Sequence, residues 1–265
     1  MDLQVNQIIT DMHSLDFIPI WLVFTIFLVS AFLCVELGFR FGKYRRDVHA
    51  QEPEAAISAM IASTLALLAF ILGFTFNMAA NRYEERRAAV LTEANAIGTT
   101  YLRADFLEPP SRDHVKKLLR QYVAMRINIE PHQVEEFLPK AAQLQNDLWA
   151  EAAAAAAKHP TPITATFVNT LNDLIDSHET RVTALYSRVP PVVWICLLLI
   201  TALSMAGIGF QCGLSGHRTF FGTGILVVAF GLVMLLVADL DRPLEGIIKT
   251  PQRPMLDLAK SIGPP

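Results

Sequence analysis

Residues Ala66, Phe70, Phe74, Asn77, Asn81 and Glu85 follow one another at intervals of three or four. On a helix that spacing puts them in a row along one face. The row changes character in order, from apolar rings to amides to charge. Around the axis of a symmetric oligomer, Ala66, Phe70 and Phe74 would form a dry neck, with Asn77, Asn81 and Glu85 as a wet vestibule. Such a neck gates ions by dewetting, and a charged ring beyond it biases selectivity. The same row has a plainer use: Phe70 and Phe74 pack against neighbouring helices while Asn77 and Asn81 bond across them.

Other polar residues support less chemistry. Arg82, Arg86 and Arg87 could form a cationic ring that gathers anions, but unpaired charge beside hydrocarbon is costly. Pairing with Glu84, Glu85, Asp239 or Asp241 is the favoured expectation, and one of the two aspartates is expected to meet an arginine of this cluster. His178 sits on an apolar helical face beside Glu179 and near Asp176. It titrates near neutrality if exposed; a satisfied core histidine is the simpler reading. Glu84 and Glu85 lie in a heavily charged stretch and read as a solvated face. No nucleophile with a base, metal-ligand spacing or glycine-rich phosphate loop is evident. The expectation is therefore a non-enzyme without cofactor or metal. Cys34, Cys196 and Cys212 lie in apolar segments and read as packing residues.

The elements that carry these residues follow from the charge pattern. Of 265 residues, 18% are charged, below the roughly 25% of a soluble protein. Residues 17–35, 55–81, 189–216 and 219–238 hold no Asp, Glu, Lys or Arg. About 20 apolar residues suffice to cross a bilayer as a helix. These windows predict membrane helices from Phe17 to about Phe39, Ala55 to Asn81, Val189 to Leu214 and Thr219 to Ala238. The first has no basic start and no small-residue cleavage site, so it is not read as a signal peptide. Its border charge, Glu36, is one turn from Arg40 and is expected to pair with it. A net charge of −3 gives no basic surplus for nucleic acid.

The chain thus divides into an N-terminal segment (1–16), a helix pair (17–81), an extramembrane insert (82–188), a second helix pair (189–238) and a C-terminal tail (239–265). The insert reads as helical throughout, and the fold class as all-α. Val90, Ala94, Ile97 and Tyr101 continue the second span as one long helix until Pro109-Pro110. A helix after Ser111 carries Val115, Leu118, Tyr122, Met125 and Ile129 and stops at Pro131. The next runs to about Lys158, with Val134, Phe137, Ala141, Leu144 and Leu148 inward. Thr161-Pro162 caps and opens a fourth, with Phe167, Leu171, Leu174, His178, Val182 and Leu185 on its apolar face. Pro190-Pro191 should break it from the third span.

The string Phe70-x-Leu72-Gly73-Phe74, with Arg82 eight residues on, resembles the second membrane helix of bestrophin anion channels and their bacterial relatives. The order of two spans, helical insert and two spans is similar too. The stretch from Phe74 to Leu102 resembles the bacterial bestrophin-like domain family more specifically, as do Asn172, Asp176, His178 and Arg181 before the third span. Asp239-Leu240-Asp241-Arg242-Pro243 after the fourth fits the same family. The resemblance covers about residues 17–255. It implies a pentameric channel for inorganic ions, chloride among them, whose neck falls on Ala66, Phe70 and Phe74. Ala66 departs from the larger apolar residue at that point and would widen it. Calcium-responsive bestrophins carry a long acidic run after the fourth helix. Here only Asp239, Asp241 and Glu245 are present, against the six to eight oxygens calcium takes, which speaks against calcium gating.

Orientation signals conflict. Arg40, Lys43, Arg45 and Arg46 favour a cytoplasmic first loop, whereas the resemblance puts both termini and the insert in the cytoplasm. The expected place is the inner (plasma) membrane, multi-pass, with the lipid bilayer and further copies of the chain as partners. The first functional reading is an oligomeric ion channel lined by the second helix. The alternative is a non-conducting sensor or scaffold whose insert binds a ligand or partner.

Overall fold

A computed structural model describes residues 19–48, 54–127, 134–243 and 246–265. The expectations for residues 1–16, Phe17, Ile129, Pro131 and Glu245 lie outside the described residues. Helix α1 spans Ile20–Val48, α2 Glu54–Arg103, α3 Ser111–Ile127 and α4 Val134–Lys158. Then come α5 (Pro162–Tyr186), α6 (Pro191–Ser215), α7 (Phe220–Asp241) and α8 (Arg253–Ile262). No strand occurs among the described residues. Helices α1, α2, α6 and α7 are long and apolar enough to cross a membrane.

The helix ends follow local chemistry. Thr161 caps α5: its hydroxyl accepts the Thr164 N–H at 3.2 Å, and Pro162 occupies the first turn. Ser187–Pro190 is not helical, so α5 and α6 are separate, as Pro190-Pro191 requires. Two helices exceed their apolar windows. The first runs on to Val48, because no breaker follows Phe39 and a helix does not need apolarity to continue. The second runs to Arg103 and is followed by a 3-10 turn at Ala104–Phe106.

The described residues form two compact units. The first contains residues up to Arg82, Arg188–Arg242 and Gly246–Ile248. Its tightest seam joins α1 to α6 through Gly38 and Gly42 on one side and Gly209 and Gly213 on the other. A Cβ on Gly38 would collide with the Ala206 carbonyl, and one on Gly209 with the Val35 carbonyl. Small residues four apart let helix backbones meet where lipid supplies no hydrophobic drive. Gly231 of α7 similarly admits Phe24 and Phe27 of α1. On α6, Gln211 Nε2 donates to Ser58 Oγ of α2 at 2.6 Å. Where the uncharged stretch of α1 ends, Glu36 accepts from Arg40 Nε at 2.9 Å, and also from Arg218 Nη1 at 2.9 Å. The sequence supplied the first partner; the second comes from 182 residues away.

The second unit contains Tyr83–Ser187 and Lys249–Pro265. Its core is a helical bundle. Ile97 of α2, Leu119 and Tyr122 of α3, Leu148 of α4 and Leu171 and Leu174 of α5 are all fully buried. The tail adds α8, a helix the sequence reading did not expect. Met255 of α8 is fully buried, and the Tyr101 hydroxyl donates to the Ile262 carbonyl at 3.3 Å.

Candidate functional site

Helix α2 buries one face of its first-unit half and leaves the other bare. Leu68, Leu72, Thr75 and Ala79 are buried, at most 4% exposed. Their spacing of four, three and four residues marks a single stripe. Ala66, Phe70, Phe74, Asn77 and Asn81 lie off that stripe, and all are exposed. Phe70 is 73% exposed and Phe74 61%. A Cβ on Gly73 would meet nothing within 4 Å. Asn81 Nδ2 donates to Asn77 Oδ1 at 2.8 Å, along the helix. Within one chain, then, neither ring packs as a core residue does, and among the described residues the two amides bond to each other. In the second unit, Glu85 is exposed as well.

The charges at the membrane edge meet different kinds of partner. The Asp239 carboxylate accepts the backbone N–H groups of Ile247 and Ile248, at 2.8 and 2.9 Å. Asp241 Oδ1 accepts the Val189 N–H at 2.8 Å. Asp239 therefore holds the turn after α7, where an arginine partner was expected. A carboxylate has two acceptor oxygens, and the turn offers one amide to each. Arg82 is half-buried, Arg86 is buried and Arg87 is exposed, bonding Glu84 at 3.5 Å.

The insert cluster also divides. Asn172 and Asp176 are exposed, whereas His178 and Arg181 turn into the second unit. There they meet Glu93, whose side chain is fully buried. Glu93 Oε2 accepts from Arg126 Nη2 at 2.7 Å and from Arg181 Nη1 at 2.6 Å. Glu93 Oε1 accepts the Tyr122 hydroxyl at 2.8 Å, and that hydroxyl is 2.8 Å from His178 Nδ1. Arg181 Nη2 reaches on to Gln252 Oε1 at 2.7 Å, just before α8. Burial alone drives the Glu93 carboxyl upward. His178 and the guanidinium groups of Arg126 and Arg181 outweigh it and hold the pKa at about 2. Burial, reinforced by the Glu93 charge, pushes Tyr122 well above its ordinary range. This arrangement ties α2, α3, α5 and the tail around one ionised carboxylate. His178 is a satisfied core histidine within it.

The chain matches the bestrophin-like domain over residues 25–255. It belongs to the bestrophin-like domain family. Solved structures agree on the fold. One is a point variant of a bacterial bestrophin homolog from Klebsiella pneumoniae, 15% identical with a TM-score of 0.65, covering 89% of this chain and 98% of that one. Another variant of that homolog is 14% identical with a TM-score of 0.67, covering 92% and 95%. No curated protein matches the sequence. This bestrophin-like chain is accordingly an all-helical membrane protein.

Glu93 and Arg126 escaped the sequence reading. Their signal was present: Glu93 falls in the Val90, Ala94, Ile97 stripe, and Arg126 follows Tyr122 by one turn on the same face of α3. A charge on an otherwise apolar stripe calls for a partner on another stripe.

Proposed function

We propose that this bestrophin-like protein is an oligomeric ion channel whose pore is lined by α2. The neck is formed by Ala66, Phe70 and Phe74, the vestibule by Asn77 and Asn81, and Glu85 lies farther along the same helix. The observation that carries the reading is the exposure of Phe70 and Phe74 beside the buried Leu68, Leu72 and Thr75. An aromatic row that leaves its own chain uncovered, and turns to amides within a turn, fits a lumen shared by several copies. A lipid-facing row would not need Asn77 and Asn81 exposed at its end. Gly73 supports the reading by leaving room beside Phe74 for a neighbouring helix. Family resemblance supplies the subunit number, five, and an inorganic anion such as chloride as the permeant species.

The test is ion efflux from vesicles that hold the purified full chain. Chloride efflux is expected, and Phe70→Ala with Phe74→Ala is expected to raise it several-fold by wetting the neck. Unchanged efflux in the double variant overturns the neck assignment. Absence of efflux from intact oligomers, wild-type and variant alike, overturns conduction. Projection images of the purified particle are expected to show fivefold rings.

A further inference from the structure

We infer that Asn77 sets the sign of the permeant ion: its side-chain N–H groups are the first ligands an anion meets beyond the neck. The inference rests on α2 lining the pore, as proposed above, and names the residue of that lining which prefers anions. Position is the first ground. Thr75 follows Phe74 directly, but its side chain is buried and its hydroxyl donates to the Ile71 carbonyl at 2.8 Å. Phe76 is apolar. Asn77 is therefore the first exposed polar side chain past Phe74. Three residues of helix rise about 4.5 Å, so an ion leaving the Phe74 ring comes within reach of this amide at once.

Orientation is the second ground, and it comes from Asn81. A carboxamide has two N–H donors on its nitrogen and an acceptor oxygen beside it. Asn81 Nδ2 donates to Asn77 Oδ1 at 2.8 Å, so the Asn77 oxygen is engaged from the side away from the neck. Asn77 Nδ2 has no partner among the described residues, and both its hydrogens are left for a ligand. Such donors suit an anion and oppose a cation. Accepting a bond at oxygen also polarises the amide and strengthens its N–H groups. The second oxygen of the pair, on Asn81, lies about 6 Å farther along the helix, so the ion meets donors first. The other mouth of the neck is built the opposite way. Ser63 lies three residues before Ala66 on the same face of α2 and is exposed. Its hydroxyl donates to the Ala59 carbonyl at 2.8 Å. Ser63 therefore presents an oxygen lone pair, which is no ligand for an anion.

The test is the reversal potential of the purified full chain in planar bilayers, across a gradient of potassium chloride. Wild type is expected to reverse on the chloride side of zero. Asn77→Asp keeps the oxygen that Asn81 bonds and puts a charge in place of the donors. It is expected to lower the chloride-to-potassium permeability ratio by about tenfold or more, the loss of one hydrogen bond to a charged group. Asn81→Ala leaves the Asn77 oxygen free to turn inward and is expected to lower the ratio by a smaller factor. It also covers the case in which the aspartate variant fails to assemble. Ser63→Ala is expected to leave the ratio as it is. A ratio unmoved in both Asn77→Asp and Asn81→Ala overturns the assignment. So does a wild type that prefers potassium, or a fall in Ser63→Ala equal to that in Asn77→Asp; conduction along α2 stands in each of these cases. Absence of current from wild type and variants alike overturns conduction, and this inference with it.

Discussion

Replacing Glu93 by Gln removes the charge around which the second unit is tied. Two routes give the size of the effect. The carboxyl is fully buried and its pKa falls from 4.5 to about 2. At about 1.4 kcal/mol per unit, ionisation in the folded state contributes about 3 kcal/mol at neutral pH. Seen from the arginines, Arg126 and Arg181, with side chains 3% and 11% exposed, would be left close together without a countercharge. Breaking a buried pair in this way costs about 3–5 kcal/mol. The two routes agree, and a loss of that size lowers the Tm by on the order of 10 °C. The sign with pH follows from the depressed pKa. The contribution is complete above the unfolded value near 4.5 and is lost as pH falls towards about 2. The assay is thermal unfolding of purified wild-type and Glu93→Gln protein by circular dichroism, at pH 7 and stepped downward below pH 5. Other carboxylates titrate in that window, so the gap between the two curves is what is read. It should be wide at pH 7 and close as the medium becomes acid. Equal Tm values at pH 7, or a gap constant through the acid range, would refute the reasoning.

Further outcomes follow from other contacts. Tyr122→Phe keeps the ring and removes the hydroxyl between Glu93 and His178, and should cost about 1–2 kcal/mol in the same unfolding assay. Gly209→Leu should cost about 3 kcal/mol or prevent insertion, since its side chain meets the α1 backbone at Val35; thermal stability in detergent equal to wild type would contradict the seam. Thr161→Ala removes the cap of α5 and should lower stability by about 1 kcal/mol, measured by denaturant midpoint. Asp239→Asn places an NH₂ against one of two backbone donors and should cost about 1–3 kcal/mol. Reversing the charges of Arg82 and Asp239 together should give no rescue of assembly over the single changes; restored assembly would show an ion pair in place of the turn contact.

Charge placement in the sequence was enough to announce four apolar helices and a helical insert, because the cost of burying an unpaired charge in hydrocarbon depends on residue type and needs no partner to be known. Proline and cap positions located the breaks at 109–110 and 187–190 for the same local reason, though α2 already ends at Arg103, before the first of them. The row at Ala66, Phe70 and Phe74 was legible as a face of a helix, since spacing alone fixes the face. Periodicity could not say which face of α2 meets its own chain, and only the tertiary structure decided that Leu68, Leu72 and Thr75 go inward. Nor could it pair Glu36 with Arg218, Glu93 with Arg126 and Arg181, or Asp239 with the amides of Ile247 and Ile248. Glu36, Glu93 and their arginines lie far apart in the chain, while Asp239 depends on a turn that side-chain spacing does not specify. A helix face is set by neighbours three and four residues away, whereas the partner of a buried charge is set by whichever element the fold brings beside it.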